Sequence, residues 1–187
     1  KLQMSNSDID DIECAVFMKA LGRNHTVTFL NLSHNEIGKM ETRNHVEPSF
    51  ITGGEAIATM LTQNRTLHHL DLSWNYIMKG SAEELGNAVS SNFTLTSLCL
   101  SHNTFHDLGS QRLAESMRFN RVIKNLDLSY NDVSPRAALV MAEVLKHNEV
   151  LNYFFLEGNP LGRLGSEALM VGLSQATNGD VDIQLSI

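Results

Sequence analysis

Eight histidines, two cysteines and a set of serines are the side chains here whose types could do chemistry. His102 and His106 stand four apart and His68 and His69 are adjacent, but a zinc site takes about four N, S or O ligands. Neither pair supplies them. Gly53-Gly54-Glu55 could open a helix toward a phosphate, yet it lacks the Lys of a GxxxxGK[ST] loop. No GxGxxG, HExxH or CxxC occurs. Ser33, Ser73, Ser101 and Ser129 each begin a recurring Ser-x-Asn triplet. Repetition accounts for them without a Ser/His/Asp set, and no such set or Cys/His pair assembles on neighbouring positions. The expectation is no catalytic residue, no metal site and no cofactor. What remains is recognition chemistry: rings and carboxylates placed at the same point of each repeat.

The elements that must position those groups follow from the repeat. The triplets are Ser33-His34-Asn35, Ser73-Trp74-Asn75, Ser101-His102-Asn103 and Ser129-Tyr130-Asn131, with Glu157-Gly158-Asn159 as a degraded fifth copy. Each follows an apolar alternation: Leu30/Leu32, Leu70/Leu72, Leu98/Leu100, Leu126/Leu128 and Phe154/Leu156. Ile37, Ile77, Phe105, Val133 or Leu161 stands two past each Asn. Leu70, Leu98, Leu126 and Phe154 are spaced by 28 residues. Period-two alternation marks strands whose outer residues face inward, and self-similarity at a fixed period marks a solenoid. Strands are expected at 2–4, 30–32, 70–72, 98–100, 126–128, 154–156 and 183–185, all parallel, with a helix returning the chain after each of the first six.

The helices carry inward triplets spaced i, i+1, i+4: Phe17/Met18/Leu21, Ile57/Ala58/Leu61, Leu85/Gly86/Val89, Leu113/Ala114/Met117, Met141/Ala142/Leu145 and Leu169/Met170/Leu173. The small middle residue should let helix and strand layer approach. Asn24, Asn64, Asn92, Asn120 and Asn148 end the helices, where a left-handed residue is common. Three of these also match the glycosylation pattern Asn-x-Thr, but a shared structural column explains them better. The Ser-x-Asn asparagines are expected to satisfy backbone groups where each strand turns away.

This pattern resembles the leucine-rich repeat family, L-x-x-L-x-L-x-x-N-x-L, over nearly the whole chain. The 28-residue period and helical second half are similar to its ribonuclease-inhibitor-like subclass. The resemblance implies an α/β fold, a right-handed solenoid with a curved parallel sheet inside and helices on the convex face. It implies protein binding, and fold does not fix the partner. Ribonuclease inhibition itself is not indicated, because those relatives are Cys-rich.

On such a fold the residue between the two strand leucines faces the concave side. Phe29, His69, Asp71, Asp127, Tyr153 and Phe155 are the concave candidates for partner binding. The middle residues of the triplets add His34, Trp74, His102 and Tyr130. These four should form a continuous row at the strand C-terminal edge, since neighbouring strands are about 4.8 Å apart. Exposed contiguous rings serve as interface anchors, or they merely cover the turn. The concave carboxylates favour a partner with a basic surface.

One repeat is longer: Leu30 to Leu70 is 40 residues. The excess lies in an insertion at 39–52, a functional loop or a tolerated one. The net charge of −7 argues against nucleic acid. No apolar run approaches the ~20 residues of a membrane span. Two cysteines without a framework suit a reducing, cytoplasmic setting. The expected organisation is a single repeat domain over 1–187, a segment of a longer chain. Its terminal strands offer apolar edges through which copies could form a weak homodimer. The favoured function is a non-enzymatic protein-interaction module. The alternatives are a structural array segment of a larger receptor or cytoskeletal scaffold, and GTPase activation, which resemblance to Ran GTPase-activating protein implies.

Overall fold

Each Leu-x-Leu alternation forms a short strand, and each strand lies parallel beside the next in chain order. The computed structural model describes residues 1–43 and 49–176 in full and the backbone of 182–184. The strands are β1 Leu2–Gln3, β2 Phe29–Asn31, β3 His69–Asp71, β4 Ser97–Cys99, β5 Asn125–Asp127, β6 Tyr153–Phe155 and β7 Asp182–Gln184. Among the described residues they make one sheet in the order β1 to β7. Leu30, Leu70, Leu98, Leu126, Phe154 and Ile183 are successive partners. That register is the one the 28-residue spacing predicts. Both leucines of each alternation are buried, as are Ile37, Ile77, Phe105, Val133 and Leu161.

The helices are α1 Asp11–Leu21, α2 Lys39–Thr42, α3 Gly53–Gln63, α4 Lys79–Val89, α5 His106–Met117, α6 Pro135–His147 and α7 Gly162–Ser174. None among the described residues is long and apolar enough to cross a membrane. Capping boxes start α1 (Asp10 with Glu13) and α3 (Thr52 with Glu55), and Ser134 with Pro135 starts α6. The inward triplets hold for α3 to α6. At the ends of the array they shift. In α1 the buried stripe is Cys14, Met18 and Leu21, with Phe17 only half-buried. In α7 it is Gly165, Leu169 and Gly172, and Met170 is exposed. The small residues also work differently from expectation. A Cβ on Gly86 would come within 2.8 Å of the Leu113 backbone N in α5. The closeness it permits is between neighbouring helices, not between helix and sheet.

Two columns of asparagine cross the structure. In the first, Asn103 Nδ2 donates to Leu72 O and Leu100 O, each at 2.9 Å, and its Oδ1 accepts from Ile77 N at 3.0 Å. Asn35, Asn75, Asn131 and Asn159 repeat the arrangement. The second column corrects the expectation about helix ends. Asn64 and Asn148 have extended backbone (ψ 136° and 119°), not left-handed. Their amides bond instead. Asn148 Oδ1 accepts from Val150 N and Leu151 N, while Nδ2 donates to Met117 O and Asn120 O of the preceding repeat. Asn64 and Asn92 do the same and are 1% exposed, so the amide a glycan would need is already committed.

The insertion is not all loop. Its beginning forms α2 and its end, Thr52, caps α3; residues 44–48 lie outside the described residues. Buried Asp11 holds both sides: its carboxylate accepts from Gly38 N (2.8 Å), Met40 N (2.9 Å) and Gly53 N (2.6 Å). Glu41 is the buried residue of α2, with Oε1 accepting from Ser81 N. Burial pushes its carboxyl above the usual range.

Removing one rung of the first column strands backbone groups of two repeats. Asn103→Ala is expected to cost about 1–3 kcal/mol in urea unfolding. A loss no larger than that of an exposed-site control would show that these bonds carry little.

Candidate functional site

The turn at each strand end sets the site. The middle residue of each Ser-x-Asn triplet is left-handed: His34 φ 55°, Trp74 φ 56°, His102 φ 54° and Tyr130 φ 54°. Such a conformation costs a non-glycine residue roughly 1–2 kcal/mol. It is held on one side by the asparagine rung and on the other by backbone bonds to the next repeat, as in Trp74 N to Ser101 O at 2.9 Å. Because every copy has the same backbone, every ring leaves the turn in the same direction. Translation by one strand then lays the rings face to face. His34 and Trp74 stack at 5.2 Å and 12°, Trp74 and His102 at 3.7 Å and 13°, and His102 and Tyr130 at 4.2 Å and 9°. Gly158 ends the row. A Cβ there would lie 2.2 Å from Tyr130 Cε1, so the missing side chain leaves room for the last ring.

Trp74 is 50% exposed and Tyr130 48%. With His34 and His102, Trp74 lines a cleft of about 410 Å³ together with Asp8, Glu36 and Tyr76. Tyr76 and Glu36 were not singled out from the sequence. Both occupy the position directly after the column asparagine, a signal that was present but that gives no hint of exposure. The insertion reaches this cleft: Lys39 pairs with Glu36 and lies 5.9 Å from the Tyr76 ring.

The concave candidates separate into smaller groups. Phe29 and His69 are tilted neighbours at 5.9 Å, with Lys1 Nζ 4.4 Å over Phe29. Tyr153 and Phe155 pair at 6.3 Å on β6. Asp71 and Asp127 have work within the scaffold. Asp71 Oδ1 accepts from Ser73 N and Oγ at 3.0 and 2.7 Å, and Asp127 Oδ1 from Ser129 N at 2.9 Å. Cys99 between them donates to Asp127 Oδ2 at 3.5 Å. The thiols are not poised for reaction, because burial pushes Cys14 up to about 12 and Cys99 up to about 11. His106 lies 3.7 Å from Asp132, not beside His102. Among the described residues no cluster of His, Cys, Asp and Glu could hold a metal ion.

Residues 23–39, 63–85 and 91–114 match the family described as Leucine Rich repeat. No curated protein sequence matches the chain. Two solved structures of similar fold are the leiomodin-1 actin-binding site 2 and the C-terminal domain of tropomodulin from Caenorhabditis elegans. The first has 15% identity and a TM-score of 0.61, over 87% of this chain and 89% of that one. The second has 12% identity and a TM-score of 0.64, over 88% and 91%. An internalin of Listeria monocytogenes matches at 15% identity and a TM-score of 0.51, over 92% of this chain but 37% of its own length. At these identities the likeness is one of fold.

Burial holds the His102 imidazole below its ordinary 6.5, with His34 adding to the effect and Asp127 opposing it. The folded ring therefore resists a proton that the unfolded chain accepts. This contribution to stability is full above 6.5 and declines as pH falls through that value, levelling once the folded ring titrates. Melting temperatures followed downward across that window should fall more steeply in the wild type than in His102→Phe. Parallel curves would mean that the stack is indifferent to the charge.

Proposed function

The chain is a leucine-rich repeat solenoid, and we propose that it works as a non-enzymatic protein-interaction module through its concave face and strand C-terminal edge. The observation that carries this reading is the stacked, half-exposed row His34-Trp74-His102-Tyr130 beside a cleft rimmed by Asp8 and Glu36. The ring faces are occupied by one another, so the row offers its exposed edges as apolar contact area, and the carboxylates beside it attract a guanidinium or ammonium. The partner we propose is a protein presenting Lys or Arg at its surface, with Phe29, His69, Tyr153 and Phe155 as further contacts on the concave side. Cys14 and Cys99, both unpaired thiols, fit a reducing, cytoplasmic setting for it.

A second reading, a scaffold segment associated with the cytoskeleton, is favoured by the fold likeness to the leiomodin-1 and tropomodulin domains. The leiomodin-1 segment is named as an actin-binding site, so co-sedimentation with filamentous actin is its direct trial for this chain.

We also propose weak self-association through the ends of the array. Ile12 and Val16 of α1 are 60% and 69% exposed, and Leu164 of α7 is 66% exposed. In sedimentation the mean mass should rise with concentration. A constant mass, unaltered by Val16→Glu, removes this proposal.

The partner is to be found by capture on the immobilised chain and identified by mass spectrometry. Trp74→Ala should weaken its binding by more than about 1 kcal/mol, roughly fivefold or more, while the chain stays folded with a melting temperature lowered only by the lost stacking. Unchanged affinity with a lower melting temperature would return Trp74 to the scaffold.

A further inference from the structure

The loops that lead from each helix end into the next strand form the edge opposite the aromatic row. The second asparagine column fixes their order. Asn92 Nδ2 donates to Leu61 O, and Asn120 Nδ2 to Val89 O and Asn92 O. Loops 64–66, 92–94 and 120–122 are therefore consecutive rungs, about 5 Å apart.

Charge is unevenly divided between the two edges. From Ala56 to Leu70 the only charged residue is Arg65, and from Leu85 to Leu98 there is none. From Ser116 to Leu126 the chain carries Arg118, Arg121 and Lys124 and no carboxylate. All four basic residues are exposed. The opposite edge, where the helices begin, mixes Asp8, Glu36, Asp107, Asp132 and Glu157 with Lys39, Lys79, Arg136 and Arg163. A chain of net charge −7 thus carries a positive strip over these three rungs, bounded on the next rung by exposed Glu149. Two phenylalanines stand within it. Phe93 is 63% exposed and occupies the same repeat position as Arg65 and Arg121; Phe119 is 74% exposed. Both are more exposed than Trp74 or Tyr130.

Helix capping explains part of this. Arg65 Nη2 donates to Thr62 O at 2.8 Å and Nη1 to Asn64 O at 3.0 Å, while Arg121 Nη1 donates to Arg118 O at 2.9 Å. A helix C-terminus carries about half a negative charge, which offsets only part of each guanidinium. Capping explains neither Lys124, which lies beyond α5 beside β5, nor the two bare rings. Arginine interleaved with exposed aromatics is the composition of interface anchors.

We infer that this strip is a second docking surface, whose partner is an acidic polypeptide segment with apolar side chains between its carboxylates. Carboxylates pair with Arg65, Arg121 and Lys124, and an aliphatic or aromatic side chain covers Phe93 and Phe119. The Arg65 to Arg121 columns span about 10 Å, the reach of roughly three residues of extended chain. The surface lies across the sheet from the cleft, so occupation of one leaves the other open.

The test uses the full chain and a fluorescent peptide of alternating Glu and Leu, with a Lys/Leu peptide and polyuridylate as competitors of other chemistry. Anisotropy should report binding of the Glu/Leu peptide that weakens as salt rises. Lys124→Glu and Phe93→Ser should each weaken it about fivefold or more, and Trp74→Ala should leave it unchanged. Lys124 makes no cap, so this variant separates charge from folding, and its melting temperature serves as the control. Equal or tighter binding of the Lys/Leu peptide, tighter binding of polyuridylate, or Glu/Leu binding unaffected by both variants would overturn the proposal.

Discussion

A parallel strand that must turn away after three residues leaves its terminal N–H and C=O groups without ladder partners, and that constraint governs the solenoid. The amide of asparagine both donates and accepts at short reach, so one side chain can serve the strand end of its own repeat and that of the repeat before. Asn75 joins Leu72 O and Leu32 O in this way. The helix ends pose the same problem on the other edge and receive the same solution, with Asn92, Asn120 and Asn148 tied to preceding carbonyls. The leucines supply the burial, but the amides set the pitch at which repeats can stack. Even-sided hydrophobic contact would tolerate a slip; two files of directional bonds do not.

The aromatic row is a by-product of that rigidity. A left-handed turn repeated at constant pitch would be an unlikely place for aromatic residues on local grounds, since each carries its own conformational cost. Stacking offsets it. Offset or parallel ring pairs contribute roughly 0.5–1.5 kcal/mol beyond burial, and the backbone ladder holds the geometry without further help. Charge follows the helix dipole at some ends, with Asp11 and Glu13 opening α1 and Lys146 closing α6, and runs against it at others, where Lys79, Arg136 and Arg163 stand at helix starts.

How much of this was legible in the sequence follows the same division. Strand positions, register and the row His34-Trp74-His102-Tyr130 could be read directly, because each depends on a column repeated at fixed spacing. What escaped were features that occur once. Asp11 reads as an ordinary acidic residue in a first helical turn; nothing in its neighbourhood announces three amide donors reaching it from residues 38 to 53. Tyr76 reads as one member of a variable column. The helix-ending asparagines were visible as a column, but their bonding was not, since Asn is equally suited to a left-handed backbone and to a bonded amide. The inward stripes failed at α1 and α7 because an end helix has a neighbour on one side only.

Asp11 has a further consequence. The carboxylate that receives Gly38 and Met40 also receives Gly53, so both ends of the insertion are moored to a single side chain of the preceding repeat. The path length between those moorings is then decoupled from the pitch of the array. A segment of different size or composition could be spliced between them while the strands on either side kept their places. In evolutionary terms the solenoid has a socket there: a position where new sequence can be sampled at the rim of the aromatic cleft without renegotiating the core.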